Sequence, residues 1–225
     1  MGGFFGAALR CDCMADVFFG VDYHSHLGTR RAGLAAYDPE IGLQRSIHSI
    51  ENAPFRTKFQ NVFDEMQGTS AIGCISDNDP QPMLIRSHLG TYALCTVGGI
   101  FNAEELVREY LSHRGRHFDA MTGGRVNNTE LVAALIDTKD DFCEGIRFVQ
   151  EVVKGAISLL ILREDGSLLA ARDRLGRLPV LLGRSEDGYC VTLSRSPIRS
   201  SAIPTSGSLA PARSSRSRRA VLRSW

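Results

Sequence analysis

No apolar run in this 225-residue chain outlasts a single β-strand: the longest, such as Ala156 to Leu162, stop well short of the roughly 20 residues needed to cross a bilayer. A chain punctuated in this way must bury its apolar surface in many short elements, and its 22 glycines and 8 prolines supply the turns between them. With 43% hydrophobic residues, the length suffices for one sizeable core, which argues against a coiled coil or wholesale disorder.

Phe4 to Leu9 reads as a buried strand. Asp16 to His26 then places Val17, Phe18 and Val21 at helical intervals, with Gly28 as a stop, and Gly33 to Tyr37 returns to strand character. Asp38 to Gly42 is a turn, and the polar stretch from Ile47 to Gly68 holds a helix over Thr57 to Met66. Ala71 to Ile75, Met83 to Ser87 and Thr91 to Val97 read as strands, expected to pair consecutively across short links. Two helix starts place Asn three residues before Glu, at Asn102/Glu105 and Asn127/Glu130. In each, the Asn oxygen can accept from a first-turn amide and the Glu can return the bond. A third helix covers Asp141 to Val153, and Ala156 to Leu162, Leu168 to Arg172, Val180 to Leu182 and Tyr189 to Leu193 are strands, with Asp165-Gly166 and Asp187-Gly188 suited to hairpins. Strands, then helices, then strands predict an α+β domain of two sheets with helices outside them.

The formal net charge of +1 conceals two unlike regions. Residues 194–225 hold ten serines, seven arginines and no acid, which leaves residues 1–193 with a net charge of −6. An acidic body excludes a nucleic-acid footprint on the folded part, so any polyanion binding falls to the tail. The tail composition offers too little apolar burial to offset chain ordering. It reads as a disordered tail, with a truncated or shifted reading frame as the rival account. Six cysteines without a dense small-protein framework read as reduced residues of a cytoplasmic protein. The Met1-Gly2 start invites a myristoylation reading, but Gly6 stands where such a signal wants Ser or Thr.

Several landmarks recur in a telling order: Gly3-Phe4-Phe5-Gly6, the run from His26 to Gly33, Pro80-Gln81-Pro82, and Gly98 followed by Asn102 and Glu105. Asn128-Thr129-Glu130, Lys154-Gly155-Ala156 and the run from Ala170 to Pro179 complete it. Together they resemble the class II glutamine amidotransferase domain of the amidophosphoribosyltransferases, a purine-biosynthesis family, over residues 2 to about 193. The resemblance implies the four-layer αββα sandwich of amino-terminal-nucleophile hydrolases. It divides the chain into an amidotransferase-like domain, residues 1–193, and the Ser/Arg-rich tail, residues 194–225.

The same resemblance implies a cysteine, exposed by removal of Met1, that attacks glutamine with its own α-amine as base. The matching position is Gly2, which has no nucleophilic side-chain atom. The arginine that holds the glutamine carboxylate falls at Ser76, and the oxyanion-hole asparagine falls at Val97 beside a retained Gly98. The aspartate for the glutamine amine falls at Asn128. Losing one oxyanion donor alone costs about 3 kcal/mol of transition-state stabilisation. The expectation is therefore a degenerate domain without glutamine hydrolysis, left with a structural, regulatory or ligand-binding role.

His26, Arg30 and Arg31 join Ser76, Gly98 and Asn128 as candidate pocket residues, the arginines as partners for an anion or a carboxylate, with a surface ion pair as the plainer reading. Two alternatives stay open: an amidohydrolase with a rebuilt pocket, using the Gly2 amine with water or Cys11, and a nucleic-acid binder acting through the tail. His24 and His26 lie two apart and so on different sides of a helix, and Asp77 and Asp79 read as turn residues, so no metal and no cofactor is expected. Arg172 and Asp173 read as an ion-pair and turn element. The expected partner is a small molecule or a phosphoribosyltransferase domain absent from this chain, with homo-oligomerisation a further option and no membrane.

Overall fold

The computed structural model describes residues 2–119, 121–122, 124–194 and 220–222. Along the chain run β1 (Gly2–Leu9), α1 (Met14–Tyr23), β2 (Arg31–Asp38), β3 (Gly42–Ser49), α2 (Phe55–Glu65), β4 (Ser70–Ser76), β5 (Met83–Ser87), β6 (Gly90–Ile100) and α3 (Ala103–Leu111). There follow β7 (Met121–Thr122), β8 (Arg125–Val126), α4 (Asn128–Ile136), α5 (Phe142–Val152), β9 (Gly155–Arg163), β10 (Leu168–Ala171), β11 (Leu181–Arg184), β12 (Gly188–Thr192) and β13 (Ala220–Leu222). A 3-10 turn, His24–Leu27, extends α1.

The strands form two main sheets, ordered β11-β12-β1-β4-β2-β3 and β13-β10-β9-β6-β5, with β7 and β8 as a separate pair. Alternation along β1 decides the layering, because successive strand residues point to opposite faces. Phe4 enters the apolar cluster between the sheets with Ile72, Cys74, Cys95 and Leu160. Phe5 faces the other way, into the cluster with Val17, Phe18 and Phe55 of α1 and α2. A third cluster seats Leu131, Ile136, Ile146 and Val149 of α4 and α5 on Leu94, Leu159 and Ile161. Three such interfaces make four layers: helices, sheet, sheet, helices. The α+β sandwich expected from the sequence is the fold observed.

Several local expectations are corrected. β4 does not pair with β5: it lies between β1 and β2, and the link from Ser76 to Pro82 crosses to the second sheet. β3 was not anticipated, because as an edge strand it deeply buries neither face and so shows no apolar alternation. Asn127 caps α4 through the amides of Thr129 and Glu130, but Glu130 turns its carboxylate to the Asp119 amide. Asn102 makes no cap; it donates to Val152 O and accepts from Lys154 N, tying α3 to the α5–β9 link. The ion pair at the turn after β10 joins Asp173 to Arg177, not to Arg172. Of the tail, only Ser194 and residues 220–222 are described; the latter pair parallel to Leu168–Ala170, and the disordered-tail expectation otherwise lies outside the described residues. No helix among the described residues is long and apolar enough to cross a membrane.

The helical layer lies close on β1 because small residues admit large ones. A Cβ at Gly20 would stand 2.3 Å from the ring of the buried Phe5, and one at Gly3 would stand 2.6 Å from Cδ2 of His24. His24 is fully buried, its Nδ1 2.8 Å from Gly20 O and its Nε2 3.5 Å from Thr192 Oγ1. Nδ1 therefore donates to the carbonyl and Nε2 faces the hydroxyl. Burial pushes this imidazole below its ordinary value, although the Gly20 carbonyl opposes the shift.

Two expected outcomes follow from this packing. Gly20→Ala gains about 1 kcal/mol of helix propensity but drives a methyl into a ring that cannot retreat, at about 1–3 kcal/mol; thermal unfolding should give a lower Tm, and an unchanged one would contradict the packing. For His24 the folded protein resists protonation while the unfolded chain takes a proton near pH 6.5, so stability is complete above that pH and lost as pH falls below it. Urea midpoints at pH 7.5 and 5.5 should fall further apart for the native protein than for His24→Gln.

Candidate functional site

One row of residues across the first sheet gathers the start of β1, the end of β4 and the start of β2. Gly2 pairs with Ser76, Ser76 with Arg31, and Arg31 with Ser49. Gly2, Ser76 and Arg31 share the strand parity of Phe4, Cys74 and Ala35, whose side chains lie between the sheets. The row therefore faces the second sheet, at one end of the sandwich. Arg31 is half-buried and Ser76 buried, whereas Arg30, of opposite parity and before the strand, is exposed.

The facing rim is the end of β6. Gly98 has φ +129, and a Cβ there would lie 1.9 Å from Ala156 O, so no other residue fits without moving β9. Val97 pairs with Ser158 and is 7% exposed, part of the core between the sheets. An isopropyl group at that place offers no hydrogen to a developing oxyanion.

The two rims are moored by Gln81, which follows the crossing from β4. Its Nε2 donates to Thr96 O at 3.0 Å and its Oε1 accepts from Thr96 N at 2.7 Å, so the side chain completes the β6 main chain as a neighbouring strand would. Oε1 also accepts from Thr129 Oγ1, and the Thr96 and Thr129 hydroxyls lie 2.6 Å apart. On the other side Gln81 O would be 2.1 Å from a Cβ at Gly33, so β2 approaches this loop as closely as a glycine permits. The sequence reading noted Pro80-Gln81-Pro82 as a landmark but missed this network. The available signal was Thr96, a hydroxyl in the apolar run Tyr92 to Val97.

The start of α4 is closed rather than open. Asp79 Oδ2 accepts from Asn128 N at 3.1 Å, and Asn127 accepts from Thr129 N and Glu130 N while donating to Pro80 O. The first-turn amides that could have held an anion are thus engaged. Burial pushes the Asp79 carboxyl up, against the opposing pull of Asn128 and of the Arg31 charge. Asp77 behaves differently. Burial alone would raise its carboxyl, but the Thr29 amide, 2.7 Å from Oδ1, and the Arg30 amide hold it below the ordinary value.

Of the pocket residues named from sequence, Ser76, Arg31, Gly98 and Asn128 lie around this end. His26 is exposed and its Nδ1 donates to Tyr23 O at 2.7 Å, a bond within its own turn. The buried His24, not His26, underlies β1. Cys11 cannot stand in for a nucleophile at Gly2: it lies beyond the opposite end of β1, whose seven residue steps span roughly 23 Å. Cys13 is buried with its thiol toward Ala7 O, and burial pushes it well up.

Comparison with known proteins agrees with this architecture. A glutamine amidotransferase domain family matches residues 68–198, more than half of the chain. Amidophosphoribosyltransferase from Methanocaldococcus jannaschii is 30% identical over 188 residues, 81% of this chain and 39% of that protein. The Archaeoglobus fulgidus amidophosphoribosyltransferase is 26% identical over 74% of this chain and 36% of its own length. The chain thus spans under two fifths of these curated relatives. The solved glutamine phosphoribosylpyrophosphate amidotransferase from B. subtilis, complexed with ADP and GMP, superposes with a TM-score of 0.77 at 24% identity, covering 90% of this chain and 44% of that one. With its two stacked sheets, outer helices and a residue-2 strand set against the Val97-Gly98 rim, the chain belongs to the glutamine amidotransferase domain family, in the class II form found in amidophosphoribosyltransferases.

Proposed function

We propose that this domain no longer hydrolyses glutamine and acts as a ligand-binding unit within an amidophosphoribosyltransferase-like protein. The observation that carries this reading is the environment of residue 2. Gly2 has no side chain, and a Cβ there would lie 2.4 Å from Ile75 O, main-chain oxygen of the neighbouring strand. A thiol could occupy the position only if β1 and β4 shifted apart. The missing nucleophile is therefore matched by missing room.

Three further residues support it. Ser76 brings no charge to a substrate carboxylate, Val97 no donor to an oxyanion, and Asn128 no charge to an ammonium group. Each absence removes a different contribution to glutamine binding or turnover. The buried thiols nearest the row, Cys74 and Cys95, are both fully enclosed between the sheets, and burial pushes Cys95 well up. Neither presents a thiolate at the rim.

The full chain incubated with glutamine, asparagine or small amides should release no ammonia above the blank; turnover that stops when the amino terminus is chemically blocked would overturn the proposal. Gly2→Cys should also fail to release ammonia, and should melt a few degrees lower, since overpacking of this kind costs on the order of 1–3 kcal/mol. Robust glutaminase activity from that single change would show that the room had been misjudged.

A further inference from the structure

Arg31 is a half-buried cation whose guanidinium makes no hydrogen bond or ion pair among the described residues. Its register partner Ser76, 6% exposed, accepts from Asn78 N through Oγ at 3.3 Å, while its own hydroxyl hydrogen meets no acceptor among the described residues. Directly opposed residues in adjacent strands hold their Cβ atoms about 4.5–5.5 Å apart. A planar fork of N–H donors and one O–H donor thus stand side by side on the face that looks toward the second sheet. The buried Ser76 donor is costly to leave without an acceptor.

A second, independent observation lies on the opposing sheet. The Ser158 hydroxyl, fully buried, has no hydrogen-bond partner among the described residues. Ser158 pairs with Val97, one step inward from the exposed Gly98 rim, and shares the parity of Leu160 and Leu162, which line the space between the sheets. Ser158 thus places an unpartnered hydroxyl on the opposing wall, near the end of the sandwich where Arg31 and Ser76 stand.

We infer that this end of the sandwich binds a small monocarboxylate, its carboxylate held by the Arg31 guanidinium and the Ser76 hydroxyl. The inference rests on the non-hydrolytic, ligand-binding reading and gives that reading a ligand class. Charge selects the class. Asp79 acts electrostatically on Arg31 without forming an ion pair with it. That neighbouring carboxylate leaves less positive charge to offset a dianion such as phosphate than a monoanion. The geometry points the same way, because a guanidinium fork matches a planar carboxylate with two parallel N–H bonds. The arginine is also not the residue that resemblance would select: position 76 holds serine, and the cation stands across the strand pair at 31.

Calorimetric titration and thermal-shift measurements on the full chain, with acetate, propionate and inorganic phosphate as probes, test this. The carboxylates should bind saturably and raise the Tm. Arg31→Gln should weaken them at least tenfold, Ser76→Ala severalfold, and Arg30→Gln, an exposed neighbour, not at all. Arg31→Lys keeps the charge without the fork and should fall between, so it serves in place of Arg31→Gln if that variant fails to fold. Carboxylate binding that survives Arg31→Lys undiminished, dependence on Arg30 instead, preference for phosphate, or no saturable binding would each overturn the inference. Ammonia release from glutamine is a separate readout: a positive result there sinks the non-hydrolytic reading, while loss of Arg31 dependence sinks only the ligand assignment.

Discussion

The side chain of Gln81 joins the two sheets at the end that matters. By donating to Thr96 O and accepting from Thr96 N it acts as a short stretch of strand, and by also accepting from Thr129 it fixes the first turn of α4 against β6. Buried amides satisfied on both ends are strong constraints, since breaking any one bond leaves a donor or acceptor stranded. Everything else at the rim inherits its position from this mooring. Gly33 must be a glycine because Gln81 O lies over it, and the crossing from β4 carries Asp79 to the Asn128 amide.

A second constraint is the size of residues where layers meet. Gly6 faces Leu160 across the sheets, a hypothetical Cβ lying 2.8 Å from its Cδ2, while Gly20 and Gly3 seat Phe5 and His24 on the opposite side of the same strand. β1 is thus pressed from both faces, which explains how a strand with so few side-chain atoms can be central in its sheet. It also explains why position 2 is confined. The strand that would present a nucleophile is held by packing along its length, and its first residue sits against the Ile75 carbonyl.

Much of this was legible in the residues. Met83 to Ser87 was bounded correctly because turn residues flank it on both sides, and the cap at Asn127 follows from local chemistry alone. What escaped was long-range. The pairing of β4 with β1 and β2 depends on a crossing that no periodicity reports, and Asn102 spends its amide on the α5–β9 link instead of its own helix. At the site, resemblance drew Gly2, Ser76, Gly98 and Asn128 to one place, but it could not separate Arg30 from Arg31. That distinction is one of strand parity, and the sequence reading began the strand at Gly33, two residues late. The choice between His24 and His26 likewise turned on which face of a short helical turn met β1.

The network at the rim stands independently of the residues that the non-hydrolytic proposal turns on. The groups that hold the rims together, Gln81, Thr96, Thr129, Asn127 and Asp79, bond one another and the main chain, and none requires a substrate to be satisfied. Val97 is absorbed into the core, where an apolar side chain costs less than an unpaired amide would. Ser76, Val97 and Asn128 lie on the floor and walls of the site and not in its frame, so the non-hydrolytic reading proposed above asks nothing of the frame itself. The donors on Arg31, Ser76 and Ser158 that meet no acceptor among the described residues are then the part of this end not explained by the frame itself.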